Sequence, residues 1–246
     1  MSEWTYHDAL AQFGIGSAHP GGYGLTKELL AKEALTAKTR VLDCGCGTGR
    51  TAALLAKRYR CKVTALDRHP LMLEKAKRRM AKEKVRSVRL LQGDIENLPF
   101  ADNSFDLLLA ESVTVFTDLG TALREYARVL RPGGVLIDLD MTAERPLSAR
   151  ELEELSLVYG TRHVPTEEEW RGRLEQAGFD LIEVVKGGSV ASALAALTEQ
   201  QAADAQDIDP SEGIDTQLYE IFAAHERVTR QYRHRLGFRV FRAVVK

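Results

Sequence analysis

Between residues 39 and 140, short apolar runs alternate with stretches whose apolar residues recur every three or four positions. The first pattern suits buried strands, and the second suits helices lying on them. A leading helix is predicted over 25–36, carried by Leu25, Leu29, Leu30, Ala34 and Leu35. Strands are predicted at about 39–43, 61–67, 86–92, 105–110 and 135–140. The fourth, Phe105-Asp-Leu-Leu-Leu-Ala110, is nearly all apolar, as a parallel strand covered on both faces requires. Helices fall at about 49–59, from Pro70 onwards, and at 119–130. Pro70 is suited to a first helical turn, and Arg131-Pro-Gly-Gly134 stops the last helix. Five alternations of strand and helix predict an α/β fold with an open, doubly wound, mostly parallel sheet.

The rest of the chain is less regular. Helices are predicted at 148–159 and 166–177, the second opened by Pro165 and Thr166 with three glutamates in its first turn. Ala177-Gly178-Phe179 leads into a sixth strand at 180–185. Helical patterns near 189–205 and 214–235 flank a polar segment at 207–213, and 236–246 alternates as a final strand. Because the chain returns to a strand, 187–235 reads as an insertion. One domain is expected, with a lead-in at 1–38, a core at 39–140, and cap segments at 141–165 and 187–235.

Composition narrows the setting. No apolar stretch approaches the ~20 residues of a membrane helix, and residues 1–8 carry no signal-peptide pattern, so a cytoplasmic protein with no membrane partner is expected. Three cysteines, two of them separated only by Gly45, suit apolar packing better than a disulfide, and no metal-ligand spacing is present. Net charge is -1 but unevenly spread: residues 1–140 carry an excess of four positive charges, and the remainder an excess of five negative ones. Much of the positive excess lies between Lys75 and Arg89. Such a run more often marks a solvated helix face than a nucleic-acid patch.

The chemistry concentrates in Val41-Leu-Asp-Cys-Gly-Cys-Gly-Thr-Gly-Arg50. An apolar run ending in an acid, followed by glycines at every second position, describes a strand running into a loop pressed against a ligand. The dinucleotide fingerprint G-x-G-x-x-G would need glycine at position 50, where this chain has arginine. Asp67 ends the second strand 24 residues after Asp43, where a carboxylate can accept hydrogen bonds from both hydroxyls of a ribose.

Asp43 to Gly49 resembles motif I of the class I S-adenosylmethionine (SAM)-dependent methyltransferases. Further segments are similar to that family in order. Leu91-Gln-Gly-Asp-Ile-Glu-Asn-Leu-Pro-Phe100 resembles motif III of the branch containing the ubiquinone-biosynthesis and type 11 small-molecule methyltransferases. Ser104 to Glu111 resembles motif IV, and Glu125 to Gly134 the segment leading to strand five. The resemblance implies a seven-stranded, Rossmann-like methyltransferase sheet with a helical cap. It implies SAM as cofactor, with S-adenosylhomocysteine as product. It places the methionine end near Asp43, Gly45, Cys46 and Gly47, the ribose at Asp67 with Arg68 beside it, and adenine at Met72, Asp94 and Ile95. Glu111 is placed near the sulfonium.

Methyl transfer to a small-molecule acceptor is therefore expected. A general base is needed only if the acceptor arrives protonated. Candidates for that role are His19, Tyr23 and His163, with Tyr159 also near the expected entrance. The loop His19-Pro-Gly-Gly resembles the lead-in of some bacterial methyltransferases. Alternative readings are a SAM-binding scaffold without catalysis, or a methyltransferase acting on RNA or protein. Amino-methylating enzymes of adenine and glutamine are disfavoured, since Ala110-Glu-Ser-Val113 stands where their Pro-Pro segment would. Neither the acceptor nor the oligomeric state is legible.

Overall fold

The computed structural model describes residues 4–195 and 207–246. Seven strands form one sheet: β1 (Arg40–Cys44), β2 (Lys62–Asp67), β3 (Val88–Gln92), β4 (Phe105–Glu111), β5 (Leu130–Ala143), β6 (Phe179–Ser189) and β7 (Leu236–Val245). Their order is β3-β2-β1-β4-β5-β7-β6. Neighbours run parallel from β3 to β5, and β7 is antiparallel to both β5 and β6. This is the expected α/β, mostly parallel, seven-stranded Rossmann-like sheet. The order reverses between β1 and β4, so their connections leave by opposite faces and open a crevice at the strands' carboxyl ends.

Alternation of side chains explains the two buried faces. Val41 packs with Leu55, Val63, Leu109 and Ile137, while the next residue, Leu42, packs with Leu66, Leu108, Leu123 and Tyr126. On the first face lie α2 (Gly22–Leu30), α3 (Arg50–Arg58) and the Met80 end of α4 (Pro70–Lys82). On the second lie α5 (Leu119–Val129) and α7 (Glu167–Gln176), with Trp170 fully buried and its indole N–H donating to the Met141 carbonyl at 3.1 Å.

A cap covers the carboxyl ends. It contains α1 (Tyr6–Phe13), α6 (Ala149–Tyr159), α8 (Val190–Ala195) and α9 (Thr216–Gln231). Tyr6 meets Tyr159 edge-on at 5.2 Å, and Phe13 meets Phe222 at 5.0 Å. Apolar spacing does not predict helix α1, although its capping signal is present: Thr5 and Asp8 form a reciprocal box, and Gly14 (φ 61°) ends the helix.

Several expected boundaries move. The leading helix occupies 22–30 instead of 25–36, because the chain leaves the helix after Leu30 and turns towards β1. Between β3 and β4 the chain makes a tight turn closed by an Asp94–Asn97 bridge, with no helix, as the pattern there predicts. Strand β5 begins at Leu130, with a register shift against β4 absorbing Arg131 to Gly134. Strand β6 continues to Ser189, beyond the expected 185. Of the helix expected at 189–205, the described part is 190–195, and residues 196–206 lie outside the described residues.

Three cations of the basic run on α4 are used internally. Lys75 donates to the carbonyls of Gln12 and Asp209, Arg78 pairs with Glu74 and Asp209, and Arg79 binds Asp207, Glu83 and the Thr48 carbonyl. Backbone bonds from Gly16 to Asp207 and from Asp209 to Gly14 complete a strap between the lead-in and the β6–β7 connection. The positive excess of the first half thus meets part of the negative excess of the second.

Candidate functional site

Strand β1 ends in a loop whose glycines at 45, 47 and 49 all have positive φ: 68°, 51° and 76°. They are needed for different reasons. A Cβ on Gly45 would approach the Val113 side chain to 2.7 Å, and one on Gly49 would approach Met80 and Ala76 to 2.9 and 3.0 Å. At Gly47 the nearest atom would be the Met72 sulfur, 4.0 Å away. The outer glycines therefore allow close packing, whereas the middle one borders open space. That space is a cleft of about 1060 Å³, counting its open mouth.

All ten residues expected to hold cofactor line this one cleft: Asp43, Gly45, Cys46, Gly47, Asp67, Arg68, Met72, Asp94, Ile95 and Glu111. Asp67 ends β2 with its carboxylate anchored by two amides, Gly47 N–H and His69 N–H, each at 2.8 Å. Each oxygen keeps a lone pair for a ligand hydroxyl. Asp94 accepts the Glu96 amide at 2.9 Å. Glu111 accepts hydroxyl hydrogen bonds from Thr26 (2.6 Å) and Thr51 (2.9 Å).

The floor of the cleft is acidic. Asp43 is fully buried, its Oδ2 has no hydrogen-bond partner, and burial pushes its carboxyl well above the usual range, with further increases from Glu111 and Asp67. Burial also raises Asp67, against the lowering effect of its two amide donors. Three carboxylates facing one enclosed space repel one another, and a cationic ligand relieves that repulsion.

The acid–base candidates separate. His19 lines the cleft, but its side chain is only 2% exposed and its Nε2 faces Thr26 and Glu111. Tyr23 does not line it: its ring lies under the Arg50 guanidinium at 3.8 Å and near Lys27 at 5.0 Å. His163 is also outside the cleft, 44% exposed at the α6–α7 connection and 3.4 Å from Glu169. Tyr159 hydrogen-bonds His225 (2.9 Å) and Thr229 (3.2 Å) within the cap. Its ring serves the packing between cap helices.

Sequence reading misses the roof. His7 and Leu10 of α1, with Ile15 and Phe116, cover the cleft, and the His7 ring meets Phe116 edge-on at 4.7 Å. Burial, helped by Arg68, lowers the His7 imidazole to about 4, leaving it neutral near pH 7. The capping box at Thr5 is the available signal for α1, but nothing local tells that this helix folds over residue 45.

A glycine-lined, acidic cleft at the switch point of a 3-2-1-4-5-7-6 sheet is the arrangement of a Rossmann-like methyltransferase. A family model described as "methyltransferase domain" matches residues 41–134. The uncharacterized methyltransferase YodH of Bacillus subtilis is 35% identical over 96% of this chain and 97% of its own length. The malonyl-[acyl-carrier protein] O-methyltransferase of Serratia marcescens is 36% identical over 61% of this chain and 50% of its own length. Phosphoethanolamine N-methyltransferase 2 of Haemonchus contortus, solved with SAM, superposes with a TM-score of 0.78 at 21% identity, covering 99% of this chain and 58% of that one. The chain belongs to the class I SAM-dependent methyltransferases. It is an enzyme of that class.

Proposed function

We propose that the protein transfers the methyl group of SAM to a small-molecule acceptor held under the cap, releasing S-adenosylhomocysteine. The observation that carries this reading is the acidic cleft, with the unpartnered Asp43 Oδ2 and the open face of Gly47 at its base. These features fit a ligand that is cationic at its methionine end and neutral at its nucleoside. Asp67 would hold the ribose, Asp94 and Ile95 the adenine beside Met72, and Gly45 to Gly47 with Asp43 the aminoacyl end.

Bound SAM supplies a methyl group on a sulfonium, activated for in-line displacement. The chain's own contribution is to hold that end still, exclude water and orient the acceptor. The roof of His7, Leu10, Ile15 and Phe116 supports a small, partly apolar acceptor, because α1 closes over the cleft where a macromolecule would have to enter. Lys75, Arg78 and Arg79 are bound by internal partners, which weighs against α4 as a nucleic-acid surface. Among the described residues, no helix is long and apolar enough to cross a membrane.

The test is calorimetry with SAM, followed by a small-molecule acceptor screen with methyl-labelled SAM that reads S-adenosylhomocysteine release. The reading predicts saturable SAM binding and acceptor-dependent release. Absence of SAM binding would refute it at the cofactor. Binding with turnover only on RNA or protein would refute it at the acceptor.

A further inference from the structure

Glu111 ends β4 with its side chain 9% exposed, and both of its oxygens are engaged. Thr26 from α2 donates to Oε1 at 2.6 Å, and Thr51 from the first turn of α3 donates to Oε2 at 2.9 Å. His19 Nε2 stands 3.2 Å from the same Thr26 oxygen and 3.4 Å from Oε1. The His19 Nδ1 lies 3.3 Å from the Pro20 carbonyl. Thr26 is fully buried. Two segments distant from it along the chain, the stretch from His19 to Thr26 and the start of α3, converge on one carboxylate.

The choice of partners is informative. A buried carboxylate is usually matched by lysine or arginine, which satisfies its charge as well as its lone pairs. Here no lysine or arginine is bonded to Glu111 among the described residues; two hydroxyls and an imidazole fix its orientation. Its charge is felt across the cleft, where it helps raise the Asp43 carboxyl. A threonine hydroxyl that donates to the carboxylate commits its only hydrogen there, so its oxygen accepts from the His19 Nε2–H.

We propose that His19 and Thr26 are positioning residues that hold Glu111 as the group reading the cationic end of the ligand. The inference rests on the reading that SAM occupies the cleft. The methionine end of SAM carries its sulfonium, its α-ammonium and its α-carboxylate, a net positive charge, whereas adenosine carries no charge at neutral pH. Glu111 therefore contributes to selection of the charged end and not of the nucleoside. His19 lines the cleft, with its Nε2 turned towards Thr26 and Glu111.

Two ligands separate the possibilities: SAM, and 5′-methylthioadenosine, a neutral thioether that keeps the nucleoside, sulfur and methyl but lacks the sulfonium charge and the charged amino-acid chain. Calorimetry on Glu111→Gln is expected to show SAM weakened by about tenfold or more, the size of a lost charge-assisted contact. Binding of 5′-methylthioadenosine should change by less than about twofold, since no charged contact is lost. Thr26→Val should show the same selective loss in smaller measure, and Thr26→Ser should restore it. Thermal melts of the free proteins identify a variant that has not folded, and Glu111→Gln together with Thr26→Ser then carry the test. Equal weakening of both ligands would overturn the proposal in favour of general support of the fold, and so would unchanged SAM affinity in Glu111→Gln. Wild-type protein that binds neither compound would refute the SAM reading itself, a result distinct from either.

Discussion

Asp67 offers the sharpest test of how the cleft holds its ligand. Its side chain does two things at once: it anchors the Gly47 and His69 amides at 2.8 Å each, and it leaves a lone pair on each oxygen pointing away from them. Replacement by alanine would remove both functions and strand two amides, a structural cost of roughly 1–3 kcal/mol per unsatisfied group where water cannot reach it. Asparagine is the cleaner perturbation. It keeps one carbonyl acceptor and the shape, but loses the charge and turns one acceptor into a donor. Losing charged hydrogen bonds to the two ribose hydroxyls corresponds to ~1.5–3 kcal/mol, or roughly a 10- to 150-fold rise in the Kd for SAM. Calorimetry on Asp67→Asn, with a thermal melt of the free protein as control, measures the binding part separately. Because burial raises the Asp67 carboxyl, wild-type affinity should also begin to fall at a higher pH on acidification than a surface aspartate would give. The Asp67→Asn variant, with no carboxyl to titrate at that position, should lose that dependence. Unchanged affinity in Asp67→Asn would refute the ribose assignment.

Gly47→Ala and Gly45→Ala should fail differently. The first places a methyl in the cleft and should weaken SAM by calorimetry, with a folding cost near the ~1–2 kcal/mol of a left-handed alanine; the second collides with Val113 and should lower the melting temperature further. His7 should make stability pH-dependent. Its imidazole falls from 6.5 to about 4 on folding, so the unfolded chain binds the proton first and stability drops as pH falls from about 6.5 towards 4. The loss is at most about 3 kcal/mol, and urea melts of His7→Gln should show a flatter profile than wild type over that window. Asp138 and Asp140 form a fully buried pair on β5; Asp138 accepts the Thr114 hydroxyl at 2.8 Å but leaves Oδ1 without a partner. Burial pushes Asp140 up to about 7 and Asp138 well above the carboxylate range, so the folded state keeps protons that the unfolded chain releases, and this pair costs stability as pH rises. Asp138→Asn should therefore raise the melting temperature relative to wild type at pH 8 more than at pH 5, and the reverse order would contradict this account.

The strands and their helices were legible because burial on both faces imposes apolar runs, and a helix lying on a sheet imposes the 3.6-residue period. The ten cofactor candidates line one cleft for a related reason. Asp43, Asp67, Asp94 and Glu111 all stand at or just beyond strand ends, so parallel pairing alone brings them to one edge of the sheet. The roof was not legible in this way. Apolar spacing over residues 6–13 gives no hint that α1 crosses to β1, because its partners, Phe222 and Tyr159, lie more than 140 residues away. Tyr23 and His163 had suitable chemistry, but only the direction of each side chain settles whether it reaches the cleft.

The sequence by itself thus determined the alternation of strand and helix, the glycine-rich turn, and the acids at strand ends. Each is a local demand of backbone conformation or periodic burial. Only the tertiary structure decided which cations are already committed to Asp207 and Asp209, and which histidine faces the cleft. It also brought Thr26, Thr51 and His19 around Glu111. Those outcomes depend on packing between segments distant in the chain, where a turn of a few tens of degrees changes a side chain's partner without altering the local pattern.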